Sequence, residues 1–181
     1  MEAARQSESA SALRTAALDE RLGLWTEELT RVVVNACEAL GWQASAKGHR
    51  LELLPEPRSE YLSLDVVAFA DGERKWRFPV AAVELENSPS GDRIAYSLWK
   101  VLCLRVDLRV VVCYRRNPQD GAALVRLLRD DVVQAMTLQG RVNLEGETLV
   151  VVGSRDESAT FPYGFFKWWR LDKNTGTFRL M

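Results

Sequence analysis

Residues 61–100 read YLSLDVVAFADGERKWRFPVAAVELENSPSGDRIAYSLWK and contain the alternating and helical patterns that predict the core of the fold. Apolar and polar residues alternate over 61–70, which predicts a half-buried strand. A polar turn beginning at Asp71-Gly72 follows, and 78–87 then predicts a mostly apolar strand with acidic residues near its C-terminal end. The run 88–105 predicts a turn and a helix. The stretch therefore predicts a hairpin followed by a crossover helix.

Helices and strands extend this pattern in both directions. Upstream, apolar residues at three- and four-residue steps from residue 22 predict a helix that ends at Gly41. A short strand is expected over 49–55. Downstream, we expect a strand at 108–115, a helix at 121–136, a strand at 147–154 and a C-terminal hairpin that turns at 172–176. This order predicts an α/β fold, with a mixed β-sheet flanked by helices.

The domain limits follow from length and composition. Residues 1–19 are rich in Ala and Ser, and we expect them to form a mobile arm or a loosely attached helix outside the core. Residues 20–181 are expected to form a single domain. The 24 basic and 25 acidic residues exclude a polybasic coat but not local charged patches.

The composition also removes several kinds of chemistry. The three cysteines match no zinc motif and are expected to be reduced core thiols, which favours the cytoplasm. His49 is the single histidine, which argues against a His-dependent triad or a multi-histidine metal site. No apolar run reaches the ~18 residues that a membrane helix needs. Any enzyme chemistry must therefore depend mainly on carboxylates.

Three acidic side chains interrupt the apolar strands. Asp65 lies within SLDVVAF, and Glu84 and Glu86 lie within VAAVELEN. Because side chains alternate along a strand, Glu84 and Glu86 project from the same face. If the two strands pair as a hairpin, Asp65 can lie on that face of the neighbouring strand. Three carboxylates would then converge at one end of the sheet.

Carboxylates packed this closely repel one another unless a cation lies among them. Mg²⁺ prefers oxygen ligands, often one or two carboxylates with waters and phosphate oxygens. Such an ion can activate water for attack on a phosphodiester, so the grouping indicates metal-assisted phosphodiester hydrolysis. The alternative is a solvated polar rim, because Glu-x-Glu pairs at strand ends are common and often only pair with Arg or Lys.

This arrangement of acids, followed by a helix and an apolar strand, resembles the PD-(D/E)XK, or restriction-endonuclease-like, nuclease superfamily. Its shared α-β-β-β-α-β core can be laid on residues 22–115 in that order. The resemblance implies Mg²⁺ or Mn²⁺ as cofactor, with Asp65 as the metal-binding aspartate and Glu84 as the first acid of the second half-motif. Glu86 falls where most members have lysine, and it is expected to be a third acidic metal ligand or a water-orienting group.

The missing lysine has two candidate substitutes. Some members of the superfamily carry this function on the following helix, where Lys100 lies. A helical wheel puts Lys100 opposite the apolar sector of Leu98 and Trp99, which predicts an exposed lysine. Lys75, in the preceding turn, is the weaker candidate. Members often contribute a further glutamate from the first helix, for which Glu28 is the candidate.

Two other groups of residues suggest partners. Basic residues gather around the second helix and the fourth strand and would contact nucleic-acid phosphates in a nuclease, namely Arg93, Lys100, Arg105, Arg109, Arg115 and Arg116. The alternative is an ordinary solvated surface. The C-terminal hairpin is dense in aromatic rings on both faces, namely Phe165, Phe166, Trp168 and Trp169. One face is expected to meet a partner, first a second copy in a homodimer and second a single nucleic-acid strand.

These observations predict a divalent-metal-dependent nuclease acting on DNA. Asp65, Glu84, Glu86 and Lys100 are the predicted catalytic residues, and the three acids are also the predicted metal ligands. The competing hypothesis is a catalytically silent module of the same fold that binds nucleic acid or a protein partner. A third is an unrelated α/β domain whose acids form a polar rim.

Overall fold

The structure is a computed structural model that describes residues 7–19, 21–54 and 60–181. Within these ranges, two α-helices come first, three strands follow, and the remaining three α-helices lie between the third and fifth strands. The helices are α1 (Ser7–Leu18), α2 (Leu22–Ala39), α3 (Gly91–Leu102), α4 (Pro118–Leu128) and α5 (Leu138–Val142). The strands are β1 (Trp42–Ala46), β2 (Val66–Ala70), β3 (Ala81–Leu85), β4 (Leu108–Arg115), β5 (Glu147–Ser154), β6 (Phe166–Asp172) and β7 (Thr177–Leu180).

The strands form one mixed sheet in the order β1-β2-β3-β4-β5-β6-β7. The pairs β3–β4 and β4–β5 are parallel, because α3 and α4 cross over between their strands, and the other pairs are antiparallel. This confirms the predicted α/β architecture with a mixed sheet. The C-terminal ends of β3, β4 and β5 therefore lie next to the start of β2. They form one edge of the sheet, made of strand ends and not of an outer strand.

Each face of the sheet carries its own apolar core. One core packs under α1 and α2 and is centred on Trp25, Val66, Val83 and Phe166. The other packs under α3 and α4 and contains Val67, Ala82, Ile94 and Leu128. Alternation along β3 sends Ala81, Val83 and Leu85 to the first core and Ala82 to the second. Coverage on both faces explains why β4 is almost continuously apolar.

The N-terminal helix is part of the packed structure. The prediction that residues 1–19 lie outside the core is wrong for α1. Leu13 and Ala16 of this helix are buried in the core beside α2. The small alanine side chain lets the two helices approach closely. Residues 1–6 lie outside the described residues.

The first strands differ from the prediction. The prediction of a strand over 49–55 is wrong for residues 49–54. Their β-pairing consists of a single bridge, between His49 and Ala46. Instead, β1 pairs along the whole of β2, with Trp42 opposite Ala70. Its sequence, WQASA, has little β-branched content, so local propensity does not reveal it. Pro55 lies outside the described residues.

The strand predicted over 61–70 is shorter than expected. Residues Tyr61–Ser63 form a 3₁₀ turn, and β2 begins only at Val66. Leu62 and Ser63 have positive φ angles of 59° and 55°, which a strand does not allow. The Tyr61 hydroxyl donates to the carbonyl of Leu51, and its ring packs edge-on against Phe69. The turn is thus fixed on both sides, and it ends next to Asp65.

The C-terminal hairpin has the predicted form. Asp172 pairs with Thr177 across the turn, and its carboxylate accepts from the backbone N–H groups of Asn174 and Thr175. Gly176 closes the turn at a positive φ of 69°. The aromatic residues, however, pack within the chain, with Trp168 on the first core and Trp169 on the second. The homodimer expected from a spare aromatic face therefore loses its basis.

Arg109 is not a phosphate-binding residue, contrary to the prediction for the basic group. It is 1% exposed, and its guanidinium donates to the carbonyls of Val101, Leu104 and Glu145. These carbonyls belong to the end of α3, the loop that follows it and the segment before β5. Arg109 therefore ties the crossover connections to the sheet from within.

We expect Arg109→Met to lower the free energy of unfolding by about 2–4 kcal/mol, because it leaves several buried carbonyls without a donor. The measurement is urea unfolding followed by circular dichroism. Arg105→Met is the matched control, since Arg105 is exposed and forms only a 3.6 Å surface pair with Glu145. It should change stability by less than about 0.5 kcal/mol. Equal losses in the two variants would contradict the structural role of Arg109.

Candidate active site at the end of the third strand

A buried carboxylate lies at the edge of the sheet where β3 ends. Glu84 is 5% exposed, on the sheet face covered by α3. The flanking residues Val83 and Leu85 point into the opposite core, so alternation directs Glu84 towards α3. Its placement follows from the apolar sequence around it, which fixes the register of β3 against β2 and β4. An ionised group in this position requires a compensating partner.

Asp65 lies beside Glu84 at the start of β2. Val66 pairs with Val83 in the antiparallel register, and continuing that register by one residue puts Asp65 opposite Glu84. Its Oδ2 accepts a hydrogen bond from the backbone N–H of Leu85 at 2.7 Å. This bond holds the carboxylate at the end of β3. The predicted convergence of Asp65 and Glu84 from neighbouring strands therefore occurs.

Lys100 provides the partner of Glu84. Its ammonium is 2.8 Å from Glu84 Oε2 and donates to the carbonyl of Ser63 at 2.8 Å. The side chain is 21% exposed. Lys100 thus joins α3 to β3 and to the 3₁₀ turn before Asp65, so one cation contacts both sides of the site.

The wheel prediction of an exposed Lys100 was wrong for a specific reason. It treated Trp99 as part of the buried sector, whereas Trp99 is largely exposed. The sector that faces the sheet is centred on Ser97, Leu98 and Val101, all of which are buried. Lys100 follows Ser97 by three residues and therefore flanks that sector. The small Ser97 side chain leaves room for the lysine to reach Glu84.

Glu86 extends the acidic group, since its charge adds to the effect of burial in raising the pKa of Asp65, but one of its carboxylate oxygens is engaged by the following loop. Its backbone N–H continues the pairing with β4 by donating to the carbonyl of Val112. Its Oε1 accepts from the backbone N–H of Ser88 at 2.8 Å, which commits one carboxylate oxygen to the loop before α3. The next residue, Asn87, donates to the hydroxyl of Thr26 on α2. Both contacts fix this loop on the sheet edge.

Burial dominates the electrostatics of the two inner acids. It raises the pKa of Glu84 above its ordinary value, while the hydrogen bond from Lys100 opposes the rise and the charge of Asp65 adds to it. It likewise raises the pKa of Asp65, against the hydrogen bond from Leu85 and the charge of Lys100. Two adjacent carboxylates share one ammonium, so the site carries more negative than positive charge.

In the described part of the chain, the second carboxylate oxygen of Glu84, Oε1, lacks the kind of partner that Lys100 provides for the first. Glu84 Oε1 is buried and, among the described residues, has no hydrogen-bond partner of good geometry, although the Ser97 hydroxyl lies close enough to act on this carboxylate. A buried carboxylate oxygen without a donor is costly, and a hard cation would satisfy it. Within the described ranges, however, no group of three His, Cys, Asp or Glu side chains is arranged to hold an ion. Asp65 and Glu84 thus fit an ion that takes its remaining ligands from water or substrate.

The two minor candidates lie elsewhere. Lys75 is exposed in the loop between β2 and β3, at the opposite edge of the sheet from Glu84. Glu28 lies on α2, which covers the other sheet face, and its carboxylate pairs with Arg31. Neither residue belongs to the site around Asp65.

Part of the predicted basic group belongs to elements that begin or end at the same sheet edge as the site. Arg115 ends β4 at the same sheet edge and is half-buried, with its guanidinium donating to the carbonyl of Tyr114. The backbone of Glu86 pairs with Val112 on the same strand, three residues before Arg115. Arg116 and Arg93 are exposed, on the loop after β4 and in the first turn of α3. Because β4 ends and α3 begins at the sheet edge where Glu84 lies, these three residues are called the arginine rim.

Ser97, the Ser63 carbonyl and the turn at Leu62 belong to the site but have no sequence signal of their own. A serine within an apolar helix face and two left-handed residues are recognised only when the strand register is known. By contrast, the apolar residues around Leu98 are visible in the sequence and do predict that α3 covers Glu84.

Comparison with known proteins finds only a modest similarity, and it is a similarity of fold. No protein-family model matches the chain, and no curated protein matches it in sequence. Among solved structures, NucC of P. aeruginosa ATCC27853 in its cAAA-bound form is similar, with 11% identity, coverage of 97% of this chain and 83% of that chain, and a TM-score of 0.47. The cAAA-bound form of NucC from E. coli MS115-1 gives 12% identity, coverage of 97% and 82%, and a TM-score of 0.47. A likeness of this size transfers no residue role.

None of the helices in the described part of the chain is long and apolar enough to cross a membrane.

The raised pKa values of Asp65 and Glu84 predict how stability changes with pH. A carboxyl whose pKa is higher in the folded state binds more protons when folded, so stability is lost as pH rises from the ordinary value, about 4, through the folded pKa. In metal-free buffer, Asp65→Asn and Glu84→Gln should therefore gain stability relative to wild type as pH rises from 4 to 7. Urea unfolding across this range, with EDTA present, measures the difference.

The control for the pH series is Glu73→Gln, which removes an exposed carboxylate from the loop between β2 and β3. Its stability should stay within about 0.5 kcal/mol of wild type at every pH. A stability difference for Glu84→Gln that is independent of pH, or that has the opposite slope, would contradict the burial of an ionisable carboxyl at this position.

Proposed function

We propose that the chain is a divalent-metal-dependent nuclease that hydrolyses phosphodiester bonds, with DNA as its substrate. The observation that carries the proposal is the pairing of Asp65 with Glu84 at one sheet edge, with Lys100 bonded to Glu84 and Glu84 Oε1 left without a donor. Two carboxylates and a cation in a half-buried site are the groups that such a reaction needs.

Asp65 and Glu84 are the residues that would hold Mg²⁺ or Mn²⁺. Each has one oxygen engaged within the chain, with Leu85 N–H and Lys100 respectively, and each has a second oxygen for an ion. When bound, the ion polarises a phosphoryl oxygen and activates water. The excess negative charge of the site and the unsatisfied Oε1 both favour a cation over an additional protein group.

Lys100 is proposed to take the role of the lysine that Glu86 replaces. It approaches Glu84 from α3 and is held at a second point by the Ser63 carbonyl, so its ammonium has little freedom. In this position it can donate to a phosphate oxygen and offset the charge that develops during attack. Glu86 is proposed to orient water through the carboxylate oxygen that Ser88 leaves free, and not to act as a third ligand.

The arginines at the rim favour a polyanionic substrate. Arg93 lies in the first turn of α3, Arg115 ends β4 and Arg116 follows it, at the sheet edge where Glu84 lies. Cations at this position can contact phosphates on either side of the reacting one, and they contribute affinity that falls with salt. This combination favours a nucleic acid over a small uncharged substrate.

A second candidate function is a catalytically silent module that binds nucleic acid. It is favoured by the engagement of Glu86 with Ser88, which leaves the described site with two inner acids rather than three. A silent module would retain DNA through the arginine rim without cleaving it, and its binding would not depend on a metal.

The experiment that separates these functions is incubation of supercoiled and single-stranded DNA with purified protein and Mg²⁺ or Mn²⁺. We expect cleavage by wild type that EDTA stops. Asp65→Asn, Glu84→Gln and Lys100→Met should each lower the rate by at least about 100-fold, as loss of a charge-stabilising group in an active site does.

Lys75→Met is the matched control, because it removes a lysine at the far edge of the sheet and should leave the rate within about two-fold of wild type. Equal cleavage by wild type and the Asp65→Asn variant would indicate a contaminating nuclease and reject the proposal. Metal-independent retention of DNA without cleavage would support the silent module instead.

A further inference from the structure

Two aromatic side chains on the outer face of α3 are largely exposed. Tyr96 is 60% and Trp99 55% exposed. Their ring centroids are 5.9 Å apart and their planes differ by 24°, so the two rings lie nearly parallel and next to each other. Adjacent large aromatic side chains on a surface usually mark an interaction site, because burying them against a partner is favourable.

This aromatic pair adjoins the proposed catalytic site. The Lys100 ammonium lies 6.0 Å from the centre of the Tyr96 ring and 2.8 Å from Glu84 Oε2. The same helix therefore presents the rings outward and the lysine inward. A nucleic-acid strand with a phosphate at Lys100 would have a neighbouring base within reach of the rings.

The surroundings of the rings favour a base over a phosphate. A shallow cavity of about 410 Å³ lies beside Tyr96 and Trp99 and is also lined by Ala95, Asp92, Asp131 and Val132. The two carboxylates repel a phosphate, but they accept hydrogen bonds from the amino groups on base edges. A π surface with acceptors at its border and a cation at one end matches a nucleotide whose phosphate lies towards Lys100.

We propose that Tyr96 and Trp99 stack an unpaired base, so that the enzyme acts on single-stranded or locally unpaired nucleic acid. This inference rests on the proposed nuclease function and adds a substrate class to it. A base within a duplex presents only its edge, whereas stacking on a protein ring requires an exposed base face. The aromatic pair would therefore discriminate between paired and unpaired substrates.

The test measures binding to a short single-stranded oligonucleotide that contains one 2-aminopurine, and to the corresponding duplex. Stacking on Tyr96 or Trp99 should quench the fluorescence of the modified base, and anisotropy of an end label gives the affinity. Calcium replaces magnesium in the buffer, and the oligonucleotide is checked for integrity afterwards. Tyr96→Ala and Trp99→Ala should lower the affinity for the single strand by about 5- to 100-fold, the usual loss of one stacked base.

Two controls accompany these variants. Trp76→Ala removes a ring that is 66% exposed in the loop between β2 and β3, at the opposite sheet edge, and should bind like wild type. Trp99→Phe keeps an aromatic face and should retain most of the affinity and the quenching. Thermal unfolding of each variant should be near that of wild type, because the substituted rings are exposed.

Unchanged single-strand affinity in Tyr96→Ala and Trp99→Ala, with cleavage still lost in Asp65→Asn, would overturn this inference and leave the nuclease function standing. Wild-type protein that neither binds nor cleaves nucleic acid would overturn both. A lower oligomeric state of Trp99→Ala, with unchanged affinity for the oligonucleotide, would identify the rings as a protein interface and also overturn the inference.

Discussion

The ion pair between Glu84 and Lys100 is the interaction on which the arrangement of the site depends. Glu84 is carried into a buried position by the apolar strand around it, and burial disfavours its charged form. Lys100 compensates this cost from α3, while its second bond to the Ser63 carbonyl ties the turn before Asp65 to the same point. The pair thereby connects α3, β3 and the start of β2, so the two inner acids are held side by side.

Buried ion pairs are weak stabilisers, because desolvation offsets much of their attraction. The site is consistent with this rule, since burial raises the pKa of both inner carboxyls despite the lysine. Stability elsewhere comes from the two apolar cores and from the Arg109 bonds that fasten the crossover connections. The fold therefore supports a costly acidic site at one edge without depending on it.

Much of the architecture could be predicted from residue patterns. β4, β5 and the terminal hairpin have strong β-branched or aromatic content and clear turn residues, so local sequence was sufficient. β1 could not be predicted, because its pairing with β2 depends on a tertiary contact and not on propensity. The meeting of Asp65 and Glu84 followed from alternation, whereas Lys100 was misjudged because the exposed Trp99 was taken as buried.

A crystal structure of the wild-type protein soaked with Mn²⁺, with data collected where manganese scatters anomalously, is the decisive measurement for the metal site. We expect an anomalous peak bonded to one carboxylate oxygen each of Asp65 and Glu84, at about the 2.1 Å typical of Mg²⁺ ligands. Lys100 should remain beside the other Glu84 oxygen. A fully occupied Mn²⁺ elsewhere on the protein, with this pair of carboxylates empty, would contradict the metal site and the nuclease mechanism built on it.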